Sequence, residues 1–138
     1  MKVLHTAYRV GDLGRSLVFY RKLGFREIGR VNLGGDASLV TLNLDGDGDV
    51  VTLELAHDPA AGPLEIGNGF SHIVVQVDDL VATLADLDAK GVAHPGIERP
   101  GGEAGPAVCN LRDPDGYRIE LVEWPAGHPA AMTAADFR

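Results

Sequence analysis

One cysteine, Cys109, stands among 138 residues. With no second thiol the chain can close no internal disulfide and build no thiolate metal cluster. A reducing compartment fits that scarcity. Long apolar runs are missing too: no window approaches the roughly 18 consecutive apolar residues of a membrane span. The opening MKVLHTAYRVGDL has no apolar stretch long enough for a signal peptide. Cytoplasm is the expected location. Positive charge is in short supply, with 12 Lys and Arg against 20 Asp and Glu and a net charge of −8. A phosphate backbone or an anionic bilayer would be repelled, so neither nucleic acid nor membrane is expected as a partner. A small substrate is not constrained by this, because a basic pocket can sit inside an acidic protein.

What the chain does have is the composition of a soluble globular protein, 45% hydrophobic and 23% charged. Many of its 18 glycines fall in turn-like clusters such as Gly34-Gly35-Asp36, Asp45-Gly46-Asp47-Gly48 and Asp115-Gly116. That pattern predicts many short strands joined by tight turns.

Self-similarity is the most informative feature. His5-Thr-Ala-Tyr-Arg-Val-Gly-Asp-Leu resembles His72-Ile-Val-Val-Gln-Val-Asp-Asp-Leu, so that His5 meets His72, Asp12 meets Asp79 and Gly24 meets Gly91. Val51-Thr-Leu-Glu54-Leu then resembles Tyr117-Arg-Ile-Glu120-Leu at nearly the same offset. Each half reads as a strand (3–10 and 71–77), an Asp N-cap, and an amphipathic helix with Leu13, Leu17 and Tyr20, or Leu80, Leu84 and Leu87, on one face. A glycine ends each helix. Further strands are predicted at 25–31, 36–44 and 49–56, and at 92–98, 106–111 and 117–123. The fold expected is α+β, two repeated βαβββ modules over 1–56 and 70–124. A linker at 57–69 carries Pro59, Gly62, Pro63 and Gly67, and a tail covers 125–138.

Strand alternation puts every second side chain on one face. His5, Ala7 and Arg9 then lie opposite Leu4, Tyr8 and Val10, while Glu54 lies opposite Leu53 and Leu55. His72 and Glu120 fall on the corresponding faces of the second half. Taken singly, a His at a strand start or a Glu between leucines is an ordinary surface residue. Their recurrence at equivalent positions makes a set of two imidazoles and two carboxylates, suited to Ni²⁺, Co²⁺, Zn²⁺, Fe²⁺ or Mn²⁺. Four protein ligands on a six-coordinate ion leave two positions for water or substrate. His57, His94 and His128 read as loop histidines with no assigned role.

The stretches LHTAYRVGDLGRSLVFYRKLGF (4–25), VTLEL (51–55), GFSHIVVQVDDL (69–80) and DPDGYRIELVE (113–123) resemble the vicinal oxygen chelate superfamily, and within it the glyoxalase I (lactoylglutathione lyase) family. Dioxygenases, epimerases and fosfomycin- and bleomycin-resistance proteins share the repeat. The ring-cleaving dioxygenases and the fosfomycin enzymes use two His and one Glu, and the methylmalonyl-CoA epimerases have Gln at the place of Glu54. The His-Glu-His-Glu quartet is the glyoxalase I pattern.

The resemblance implies a metal-dependent lyase that isomerises the hemithioacetal of methylglyoxal and a thiol, normally glutathione, through an enediolate. Glu120 would be the principal base, with Glu54 serving the opposite face and His5 and His72 holding the ion. The short chain resembles the class activated by nickel or cobalt more than the longer zinc class. A homodimer with shared active sites is implied as well. Arg9 matches an arginine that binds a glutathione carboxylate. Near His57-Asp58 the family commonly has Asn, so Asp58 is a departure that would repel that carboxylate. Arg99, before Pro100, is a possible substitute for a basic residue that follows later. The competing readings are another metalloenzyme of the superfamily, such as an epimerase or dioxygenase, and a binding or resistance protein without turnover. The second would be expected to have lost a ligand position, and none is lost.

Overall fold

A computed structural model describes residues 1–128 and 131–138. The chain forms two compact units, Met1–Phe70 with Asp113–Tyr117, and Ser71–Arg112 with Arg118–Arg138. Among the described residues no helix is long and apolar enough to cross a membrane.

The first unit runs β1 (Thr6–Arg9), α1 (Leu13–Lys22), β2 (Arg26–Gly34), β3 (Ala37–Asn43) and β4 (Leu53–His57). Its sheet has the order β1-β4-β3-β2, with β1 parallel to β4 and the other pairs antiparallel. Asp12 starts α1 as expected, its carboxylate accepting the Arg15 N–H at 2.8 Å, a cap of the kind that contributes about 1 kcal/mol. Leu17 and Tyr20 are buried on the face that meets the sheet, and Gly24 closes the helix at φ +98°, a conformation that costs glycine little.

The second unit runs β5 (Ile73–Gln76), α2 (Leu80–Ala89), β6 (Ala107–Arg112) and β7 (Arg118–Glu123), in the sheet order β5-β7-β6. Again the first strand is parallel to the last. Asp79 caps α2 on Ala82 N–H, and Leu80, Leu84 and Leu87 are all buried. Each such leucine contributes about 1.5–3 kcal/mol on removal from water. The fold is thus α+β, built from two modules of like design.

One module is less complete than the sequence suggests. The strand expected over 92–98 is reduced to a single bridge, in which Glu98 and Val108 exchange backbone hydrogen bonds of 2.8 and 2.9 Å. Pro95 has no N–H to give a ladder, and Gly96 turns to φ +98°. The first strand of each half is also shorter than predicted. Thr6 pairs with Leu53, and Ile73 pairs with Ile119, which leaves His5 and His72 one residue outside the strands. Tyr8 and Val10 are buried as the alternation requires, whereas Leu4 is exposed.

The 57–69 segment packs within the first unit and holds a one-turn 3-10 helix at Pro59–Ala61. Beyond β7 the chain is tied to the second unit. The Gln76 side-chain oxygen accepts from Trp124 Nε1 at 3.1 Å and from the Ala131 N–H at 3.0 Å, and Trp124 stacks on His128.

The Asp113–Tyr117 turn contributes a polar centre to the first unit. Asp113 accepts the Asp115 and Tyr117 N–H groups at 2.9 Å on one oxygen and the Tyr20 hydroxyl at 3.0 Å on the other. Tyr20 is in turn hydrogen-bonded to the Tyr8 hydroxyl. Asp115 accepts from Gly11 N–H and from Arg15 ahead of and within the first turn of α1, where the helix dipole favours negative charge.

Burial pushes the Asp113 carboxyl above the usual carboxylate range, outweighing the hydrogen bonds that pull it down. The folded chain therefore holds this proton over a pH range in which the unfolded chain has released it. Stability contributed by Asp113 is present below the ordinary carboxylate pKa and is lost as pH rises through the raised one. Asp113→Asn keeps one oxygen for the two amides and removes the ionisation. Urea unfolding from pH 4 to 8 should show a smaller fall in stability for the variant than for the wild-type chain. Identical slopes would show that Asp113 is not the source.

Candidate active site

The two carboxylates occupy matching places. Glu54 lies on β4, the strand flanked by β1 and β3, and pairs with Ala7 on the parallel side and Thr41 on the antiparallel side. Glu120 lies on β7, between β5 and β6, and pairs with Val74 and Asn110. His5 stands two residues before Ala7, and His72 two residues before Val74. Each histidine therefore leans over the same sheet face as its glutamate, because residues two apart share a side of a strand. The sequence repeat is thus also a repeat of strand register.

In the first unit the pair meets. His5 Nε2 is 3.5 Å from Glu54 Oε2, with both side chains less than a third exposed. Donors bonded to one ion at about 2.0–2.2 Å stand roughly 3–3.5 Å apart when the angle between them is near 90° to 110°. The His5–Glu54 spacing fits that, and an imidazole beside a carboxylate is a suitable donor set for a divalent ion.

In the second unit His72 is held through its other nitrogen. Its Nδ1 lies 2.7 Å from Ser71 Oγ and 3.0 Å from Arg118 Nη2, and its Nε2 has no hydrogen-bond partner among the described residues. Arg118 shares the face of Glu120, two residues away on β7. Among the described residues no three His, Cys, Asp or Glu side chains converge. The quartet comes as two pairs of residues, one in each unit.

Arg9 shares the face of His5 and Ala7. Its Nη2 donates to the Gly62 carbonyl at 3.1 Å, and its Nε is buried with no partner among the described residues. Asp58 lies in the same unit, its carboxylate accepting the Ala60 N–H at 3.0 Å as the N-cap of the 3-10 turn. Arg99 is exposed, and its carbonyl closes a turn on the Gly102 N–H. His57, for which no role was expected, reaches the Val10 carbonyl at 3.3 Å. Sequence reasoning passed over Ser71 and Arg118. The visible signal was their adjacency to His72 and Glu120, but contact between residues 46 apart needs the β5–β7 pairing.

Residues 2–121 match the Glyoxalase/Bleomycin resistance protein/Dioxygenase superfamily, and the chain belongs to it. It is 34% identical to the probable lactoylglutathione lyase of Synechocystis, over 89% of this chain and 95% of that one. The lactoylglutathione lyase of Haemophilus influenzae is also 34% identical, over 89% and 93% of the two chains. Among solved structures, the trypanothione-dependent glyoxalase I of Leishmania major superposes with a TM-score of 0.71 at 30% identity, covering 89% of this chain and 86% of its own. The chain is accordingly an enzyme of the lactoylglutathione lyase-like, glyoxalase I branch of that superfamily.

Proposed function

We propose that the chain is a metal-dependent lyase that isomerises the hemithioacetal of methylglyoxal and a low-molecular-weight thiol to the S-lactoyl thioester. The observation that carries this reading is the matched placement of His5 with Glu54 and of His72 with Glu120 in two strand pairs of identical register. His5, His72, Glu54 and Glu120 would hold a divalent ion, with nickel or cobalt favoured and zinc possible. Bound there, the ion supplies Lewis-acid stabilisation to the negative charge that develops on two vicinal oxygens.

The residues of the chain do the remaining work. Glu120 would take the carbon-bound proton from C1 of the hemithioacetal, leaving an enediolate, and return it to C2, while the hydroxyl proton on the C1 oxygen passes to the C2 oxygen to give the thioester. Glu54 can perform the same transfer at the opposite face. A positioned base of this kind typically contributes about 10²–10⁴-fold. Arg9 would engage a carboxylate of the thiol, for which its planar fork is apt. Its Nη2 is engaged by the Gly62 carbonyl, and its Nε is buried without a partner among the described residues.

Substrate choice turns on the residues that would face the thiol. Asp58 would repel a glutathione carboxylate, although its commitment to the Ala60 N–H offsets part of that charge. Arg99, in the 98–102 turn, would stand in for the basic residue that the family places later in the chain. The Leishmania relative is described as trypanothione-dependent, so thiol choice varies among proteins of this kind. We further propose a cytoplasmic homodimer with shared active sites.

The decisive measurement is hemithioacetal isomerisation by metal-free protein after addition of Ni²⁺, Co²⁺ or Zn²⁺. Turnover is expected with nickel or cobalt and glutathione. Turnover with a different thiol alone would keep the reaction and replace the substrate. Absence of turnover with every metal and thiol, in protein that binds the ion, would sink the lyase reading.

A further inference from the structure

His72 carries a constraint that the His5 environment does not show. Its Nδ1 faces Ser71 Oγ at 2.7 Å and Arg118 Nη2 at 3.0 Å, while that same Nη2 lies 3.1 Å from Ser71 Oγ. A guanidinium can only donate, and a neutral imidazole has one lone pair on one nitrogen. Arg118 on Nδ1 therefore requires the ring proton to be on Nε2. A protonated Nε2 has no lone pair to give to an ion.

Ser71 supplies the alternative. Its hydroxyl oxygen has two lone pairs and can accept from Nδ1–H and from Arg118 together. In that arrangement Nε2 is free to ligate. The ring exchanges one proton for another through water, losing it at Nε2 and gaining it at Nδ1, so its charge is unchanged. Arg118 Nε has no partner among the described residues, so no second hydrogen bond at that atom opposes a shift of Nη2 from Nδ1 to Ser71 Oγ.

We propose that Ser71 and Arg118 are positioning residues that set the tautomer of His72, Arg118 holding the ring in the form that cannot bind metal and Ser71 stabilising the form that can. The proposal rests on His72 being a ligand, as argued above. Partners of this kind fix the tautomer of ligating histidines, and their loss typically costs 10–100-fold in metal affinity.

The test uses the whole chain labelled with ¹⁵N-histidine, with long-range proton–nitrogen correlation and His72→Gln to assign the ring. In metal-free protein Nδ1 of His72 should show the shift of an unprotonated nitrogen and Nε2 that of a protonated one. Arg118→Met should move the ring toward the opposite form, whereas Arg118→Lys, which still only donates, should preserve it. On addition of Zn²⁺ the pattern should invert. Ser71→Ala should keep the metal-free pattern and weaken Zn²⁺ binding by roughly 10–100-fold, and Ser71→Thr should restore it. A metal-free ring already protonated at Nδ1, or unchanged Zn²⁺ affinity in Ser71→Ala, overturns the proposal. A chain with the expected metal-free tautomer that takes up no Zn²⁺ instead overturns the metal-ligand reading of His72, which separates the two failures.

Discussion

Glu120→Gln should lower kcat by about 10²–10⁴-fold, measured at saturating metal and saturating hemithioacetal. The amide has nearly the shape of the carboxylate but cannot take a proton from carbon. Because Glu120 sits mid-strand between Val74 and Asn110 and is only partly buried, the exchange leaves the ladder and the core intact. Far-UV circular dichroism and Tm should stay near the wild-type values. Metal affinity should fall as well, since a neutral amide is a poorer ligand for a divalent ion. Measuring turnover across a metal titration separates the two effects: a loss that survives saturation belongs to proton transfer. Turnover within threefold of wild type at saturation would remove Glu120 from the role of base.

Mixing provides the second large effect. Glu54→Gln and Glu120→Gln chains should each be nearly inactive alone, down by about 10²-fold or more. If every site takes its His5–Glu54 pair from one chain and its His72–Glu120 pair from the other, a mixed dimer carries both lesions in one site and none in the second. Random exchange of equal amounts makes half of the dimers mixed, so about a quarter of wild-type turnover should return. Leu4, Val31 and Leu33 of the first unit are exposed apolar side chains, which a second copy would cover at a gain of about 25 cal/mol per Å². No recovery, in samples that native mass spectrometry shows to contain mixed dimers, would assign each site to a single chain. Absence of any dimer would overturn the shared-site reading outright.

The departures between sequence and structure are local and have physical causes. The predicted strand over 92–98 was apolar enough to suggest pairing, but Pro95 and Gly96 leave only the Glu98–Val108 bridge. Asp113 and Asp115 lie in the 70–124 stretch expected to form the second module, Asp115 at one of its turn-like glycines. They are packed into the first unit instead, one buried under Tyr20 and the other at the start of α1. Nothing in the sequence near Tyr20 announces a carboxylate 93 positions away.

By itself the sequence determined the two-module α+β architecture, the helix caps at Asp12 and Asp79, and the candidate quartet His5, Glu54, His72 and Glu120. These follow from spacing alone: alternation in strands, periodicity in helices, and recurrence at a near-constant offset. Only the tertiary structure decided that His5 meets Glu54 while His72 is held by Ser71 and Arg118. Two repeats with the same register can hold their histidines differently, because a hydrogen bond depends on which side chain a neighbouring strand brings within about 3 Å, and spacing along one chain does not specify that neighbour.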